Sequence, residues 1–249
     1  MNLGTTLRTT SEQLHDDGVV ERELVLGDIP ATLWTRGSDP APLVLMAHNN
    51  GLPRRDPRLV ARARFVAAGH GYAVATIDAA GCGERPPLPG LAEARTEVRR
   101  ALQAGEPLGD LLEQVVGSLV EAAVPEWRAT LDALLELPEV TGPVGYSGWA
   151  ALGIRLAAVE PRIAALGLFG GGYVPRAQRE EARRITVPLL LLLQWDDEGN
   201  PREGVLELFD AFGSAEKTLH ANPGGHLGTP RFELEDSARF LDRHLRRPS

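Results

Sequence analysis

The chain of 249 residues is long enough to bury a substantial core, and a single α/β domain over 1–249 is the arrangement expected at this length. Its 26 lysines and arginines stand against 34 aspartates and glutamates, and the resulting net charge of −8 excludes the electrostatic footprint of a nucleic-acid binder. A single cysteine, Cys82, excludes an intrachain disulfide framework and any CxxC metal site, so neither a metal nor another cofactor is expected.

Residues 1–19 are polar, with Glu12, Asp16 and Asp17 and no apolar h-region, so no secretory signal is read there. The longest apolar run, 187–193, contains Pro188 and is too short to span a bilayer, which leaves a cytoplasmic protein with no membrane partner as the expectation. Strand-like runs at 19–26 and 31–36 flank the turn Asp28-Ile29-Pro30 and predict an antiparallel opening to a sheet. The apolar run 42–47 reads as a strand buried on both faces and ends at His48-Asn49-Asn50-Gly51. A helix follows over 56–68, where Leu59, Val60, Ala63, Phe65, Val66 and Ala67 recur at helical spacing with arginines between them and Gly69 stands in the C-cap position. The strand 72–77 then leads into Asp78-Ala79-Ala80-Gly81-Cys82-Gly83-Glu84-Arg85, completing a βαβ unit with a right-handed crossover.

Pro86-Pro87-Leu88-Pro89-Gly90 opens a stretch outside this alternation, with helices over about 91–104 and 108–124. The second carries a wide apolar stripe, Leu111, Leu112, Val115, Val116, Leu119 and Val120, which either packs on core helices or forms the inner face of a small helical lid over 85–124. Alternation then resumes: helix 125–135, strand 142–146, helix 148–159, strand 163–169, helix 175–184, strand 187–194, helix 202–212, strand 217–220 and helix 232–245. This order predicts an α/β fold with a mostly parallel sheet of about eight strands flanked by helices.

Gly145-Tyr146-Ser147-Gly148-Trp149 places a serine where a strand passes into a helix, the setting of a nucleophile elbow, although the common G-x-S-x-G pattern has glycine where Trp149 stands. A serine hydroxyl needs a base, and the base an orienting carboxylate. Asp197, after the strand 187–194, and His226, on the glycine-rich loop 222–228, follow Ser147 in the order expected of such a fold. Asp196 and Glu198 are read as local loop residues. An oxyanion hole is expected from the Gly148 amide and a second amide in 48–51, Asn50 or, nearly as well placed, Asn49, because this loop resembles an HGGG-type loop with asparagines at two glycine positions. Asn49, Tyr146, Trp149 and Trp195 are the candidates for shaping a substrate pocket, with core packing the competing reading of the aromatics.

With these motifs on the page, the chain resembles the α/β-hydrolase superfamily, particularly its small dienelactone hydrolase-like and prolyl-oligopeptidase-like members. The resemblance is carried by residues 43–51, by Gly71-Tyr72-Ala73-Val74 through Asp78 and Gly81 to Arg85, by 145–148, by 194–201, and by Gly224-Gly225-His226. It implies an acid four residues before a proline, which selects Asp197 ahead of Pro201. Dienelactone hydrolases use a cysteine nucleophile where this chain has Ser147, so their substrate is not carried over. Cys82 stands where similar sequences often have histidine and is read as a small apolar filler. The expected activity is hydrolysis of a carboxylic ester, lactone or thioester of a small, partly apolar molecule through an acyl-enzyme, by a monomer or homodimer. Peptide or amide cleavage, or a non-hydrolytic cyclase or ligand-binding use of the fold, are the alternatives.

Overall fold

A computed structural model describes residues 6–48, 52–83, 85–170, 172–226 and 228–246. The chain opens with three strands, β1 (Leu7–Leu14), β2 (Val19–Leu26) and β3 (Ile29–Arg36), paired antiparallel in series. From there strands and helices alternate: β4 (Ala41–Met46), α1 (Pro57–His70), β5 (Ala73–Ile77), α2 (Leu91–Ala104), α3 (Gly109–Leu134), β6 (Val140–Trp149), α4 (Ala150–Val159), β7 (Ile163–Phe169), α5 (Arg176–Arg184), β8 (Leu189–Gln194), α6 (Arg202–Ala211), β9 (Lys217–Asn222) and α7 (Phe232–Leu245). Among the described residues nine strands form one sheet in the order β1-β2-β3-β5-β4-β6-β7-β8-β9, and β4 to β9 are mutually parallel.

Period-two alternation divides the strands between two cores. Leu43 and Leu45 of β4 and Leu189, Leu191 and Leu193 of β8 join the core beneath α2 to α6. Val44, Met46, Leu190 and Leu192 join the core beneath α1 and α7, with Leu59, Ala63, Val66 and Leu241. Both faces are covered, so β4 and β8 read as unbroken apolar runs, as buried parallel strands do. Gly145 lets α7 lie directly on β6, since a Cβ there would stand 2.6 Å from Leu245 Cδ1.

Several element boundaries differ from the sequence-based expectation. The sheet has nine strands because β1, a polar and exposed edge strand, carries no apolar alternation to announce it. Helix α1 runs on to His70 and is capped by Gly71 in the left-handed region (φ 62°), not by Gly69. The helices expected at 108–124 and 125–135 are one helix, α3, with Pro125 inside it. Its buried stripe continues across the proline through Val120, Ala123, Val124, Trp127 and Leu131, and this packing outweighs the lost hydrogen bond. Among the described residues no helix is long and apolar enough to cross a membrane.

Candidate active site

Ser147 lies on β6, opposite Met46 of β4 and Gly167 of β7. Tyr146, its neighbour, points to the α4 side, where it is fully buried and donates from its hydroxyl to the Trp149 carbonyl at 2.8 Å. Burial drives the Tyr146 phenol well above its ordinary pKa. Ser147 therefore faces the α1 and α7 side and is 4 % exposed. Gly148 adopts φ +150°, and a Cβ there would fall 2.1 Å from the Ala47 carbonyl oxygen, so the position admits no side chain. The turn into the helix comes later than the motif predicts. Pairing with β7 continues through Gly148 and Trp149, and α4 begins at Ala150, so Ser147 sits in extended chain ahead of the helix.

The loops after β8 and β9 are tied together by backbone bonds. The Trp195 amide donates to the Asn222 carbonyl at 2.7 Å, and the Asp196 amide to the Gly224 carbonyl at 3.1 Å. The Asp196 carboxylate returns the bond by accepting from the Gly224 amide, and Glu198 accepts from the His226 amide at 3.4 Å. These brace the loops, and the turn brings Asp197 against His226. Asp197 Oδ2 accepts from His226 Nδ1 at 2.8 Å while Oδ1 accepts from the Gly199 amide at 2.9 Å. A carboxylate can only accept, so Nδ1 carries the hydrogen and the neutral ring's Nε2 is the free base. The Asp197 carboxylate is 3 % exposed and the His226 ring 39 %, a shielded acid holding an accessible base.

Ser147, Asp197 and His226 line one cavity of about 570 Å³ at the carboxyl ends of β6, β8 and β9. Its apolar lining includes Met46, Val66, Trp149, Phe169, Leu192 and Leu241. Of the four residues expected to shape a pocket, Trp149 does line it. Tyr146 does not, because strand alternation turns it to the other face. Trp195 does not either; it is 42 % exposed, with the Arg202 guanidinium 4.8 Å from its ring centroid. Asn49 and Asn50 lie outside the described residues. No described residue of 85–124 lines the cavity, since the stripe of α3 packs on the opposite face of the sheet.

Among the described residues no hydrogen bond joins Ser147 to His226. The Ser147 hydroxyl oxygen accepts instead from Arg62 Nη2 at 3.0 Å. Sequence reasoning passed over Arg62, though a signal was available: it falls with Leu59, Ala63 and Val66 on the buried stripe of α1, where a guanidinium needs a reason to be. Its guanidinium carbon lies 4.2 Å from the Phe169 ring centroid. Among the described residues no carboxylate pairs with it. Burial lowers its pKa to about 10, which still leaves a cation at neutral pH.

The segment leading into α1 is anchored by ionic bonds. Arg54 donates at 2.6 Å to the fully buried Asp78 from both its amide and its guanidinium, and at 2.7 Å to Glu23. Asp56 caps α1 by accepting from the Arg58 amide at 3.0 Å. The 78–85 motif is likewise structural: Arg85 bridges Glu126 and Asp28, and Glu126 accepts from the Ala80 amide. Elsewhere His220, Glu233 and Asp236 bring ligand atoms within 4.8 Å of one another, a grouping that their sequence spacing does not reveal. Both oxygens of that Glu233 are already engaged, by His220 Nδ1 at 2.9 Å and Asn222 Nδ2 at 2.8 Å.

No family model and no curated protein matches the sequence. Solved structures do. A cold-adapted esterase from an Arctic intertidal metagenomic library, in a PEG-bound complex, is 27 % identical, with a TM-score of 0.75 over 95 % of this chain and 98 % of the other. Acetyl xylan esterase 1 from Thermoanaerobacterium sp. JW/SL YS485 is 16 % identical, with a TM-score of 0.70 over 97 % and 88 % of the two chains. An acetyl xylan esterase from Paenibacillus sp. R4 is 15 % identical, with a TM-score of 0.72 over 98 % and 90 %. The chain has the α/β-hydrolase fold, and its likeness to esterases of known structure runs through nearly its whole length.

Proposed function

We propose that this protein is a serine hydrolase that cleaves a carboxylic ester of a small, partly apolar molecule. One observation carries the reading: Ser147 and the Asp197–His226 pair, from three separate strand ends, line the same cavity. Ester hydrolysis is also what the names of the neighbouring structures report of those proteins.

In the proposed reaction the Ser147 hydroxyl turns from Arg62 to His226 Nε2, which takes its proton as the oxygen attacks the ester carbonyl. Such contacts commonly tighten only when substrate is bound. Asp197 holds the ring and stabilises the imidazolium. The Gly148 amide and an amide of the 48–51 loop, from Asn50 or Asn49, receive the oxyanion. His226 protonates the departing alkoxide, then takes a proton from water as its oxygen attacks the acyl-enzyme, and returns that proton to the serine oxygen as the acyl–serine bond breaks, releasing the acid and restoring Ser147 and the neutral ring. Trp149 and the apolar lining take up the hydrocarbon part of the substrate.

The test is turnover of a p-nitrophenyl ester by purified variants. Ser147→Ala and His226→Ala are each expected to lose about 10⁶-fold in kcat, with the double variant no worse than either. Asp197→Asn is expected to lose about 10⁴-fold. Full turnover by Ser147→Ala contradicts the assignment.

A further inference from the structure

The cavity is lined by two acids, Asp197 and Glu233, and by three arginines, Arg58, Arg62 and Arg231, and both acids have protein partners. Asp197 is bonded to His226, Glu233 to His220 and Asn222, and Arg58 to Asp56. Arg62 is different. Its guanidinium, in an otherwise largely apolar lining, makes one hydrogen bond among the described residues, to the Ser147 hydroxyl, and lies against Phe169. An arginine has five N–H donors in a rigid planar fork that matches the two oxygens of a carboxylate. A partly buried cation without a counter-ion weakens the empty protein and raises the local concentration of anions. Gln194, also in the lining and 8 % exposed, has a side-chain amide with no hydrogen-bond partner among the described residues.

We propose that Arg62 is the specificity-determining residue of this site, selecting esters that carry a carboxylate close to the carbonyl under attack, such as half-esters of short dicarboxylic acids. The inference rests on the serine-hydrolase reading above. Distance sets the spacing. Arg62 Nη2 is 3.0 Å from the serine oxygen, so a carboxylate carbon about three bonds from the reacting carbon can meet the fork while that carbon meets the oxygen. Accepting from Arg62, the substrate carboxylate displaces the Ser147 hydroxyl and frees it to turn to His226. The apolar lining takes the remaining hydrocarbon.

The test compares two matched pairs of substrates by kcat/KM. Monoethyl succinate is set against ethyl levulinate, in which a methyl ketone replaces the acyl-side carboxylate. Acetoxyacetate is set against acetoxyacetone, which does the same on the alcohol side. Wild-type protein is expected to prefer the anionic member of at least one pair by about 10-fold or more, and Arg62→Met to lower that ratio by about 10- to 100-fold, with Arg62→Lys in between. A wild-type ratio near one, while the neutral esters are still turned over, overturns the inference and leaves the serine-hydrolase reading standing. Equal falls on both members of a pair also overturn it, since Arg62 would then act on the serine or the oxyanion. Absence of all ester turnover, or full turnover by Ser147→Ala, defeats the underlying reading instead. Should Arg62→Met fail to fold, inhibition of wild-type neutral-ester turnover decides the matter. Butyrate is expected to compete at least about 10-fold more strongly than butyramide, and equal inhibition by the two overturns the inference.

Discussion

Arg54 and Arg62 flank the start of α1 and meet opposite surroundings. Arg54 is enclosed by Asp78 and Glu23, so its charge goes to fixing the turn at 53–56 ahead of the helix. Among the described residues Arg62 meets a serine oxygen and an aromatic face but no carboxylate. The same side chain is scaffold at one place and an unspent charge at the other, and what separates them is the supply of carboxylates within reach. A cation whose partners are all internal stabilises the fold, whereas one whose best partner is absent points to something that arrives from outside.

The largest stability effect is expected on the scaffold side. Arg54→Met leaves Asp78, which has no exposed surface, without its counter-ion, and should cost about 3–5 kcal/mol in chemical denaturation. Gly148→Ala comes next, at about 2–4 kcal/mol, because the new methyl must move the Ala47 carbonyl and accept an unfavourable φ. Arg62→Met should behave differently: it gives up the hydrogen bond to Ser147 and the Phe169 contact but no counter-ion among the described residues, so stability is expected to stay within about 1 kcal/mol of wild type. A loss as large as that of Arg54→Met would mean that Arg62 is scaffold as well.

A further contrast is a carboxylate paired as fully as Asp78 but far from the cavity. Hydrogen bonds from Arg162, on both its side chain and its amide, outweigh burial and hold Glu160 at about 2 against an ordinary 4.5. The folded pKa is depressed, so the stabilisation is complete above the unfolded value and drains away as pH falls from about 4.5 through about 2. Glu160→Gln should therefore be less stable than wild type at neutral pH by about 1–2 kcal/mol, and the gap should close in acid melts.

The alternation of strands and helices, the order of Ser147, Asp197 and His226, and the parallel sheet were all legible in the sequence, because buried parallel strands are apolar throughout and the loops after them carry distinctive residues. Other features were not. Strand β1 is held by edge pairing without burial, so no hydrophobic pattern marks it. Pro125 reads as a break, yet the stripe running across it binds both halves of α3 to one sheet face. Tyr146 and Trp195 flank the motif residues in sequence but face away from the cavity, as period-two alternation and a solvent-facing loop dictate. Arg62 was hidden among many arginines, since spacing shows that a residue lies on a buried face but not whether a carboxylate awaits it there.

Active-site labelling tests most directly whether Ser147 is the nucleophile of this cavity. Folded protein treated with a fluorophosphonate and digested for mass spectrometry should carry the adduct on Ser147 alone, with labelling and ester turnover lost together. Ser147→Ala should take no label and turn over no ester. A stable adduct on another residue, or an unlabelled wild-type protein that hydrolyses esters at full rate, would contradict it.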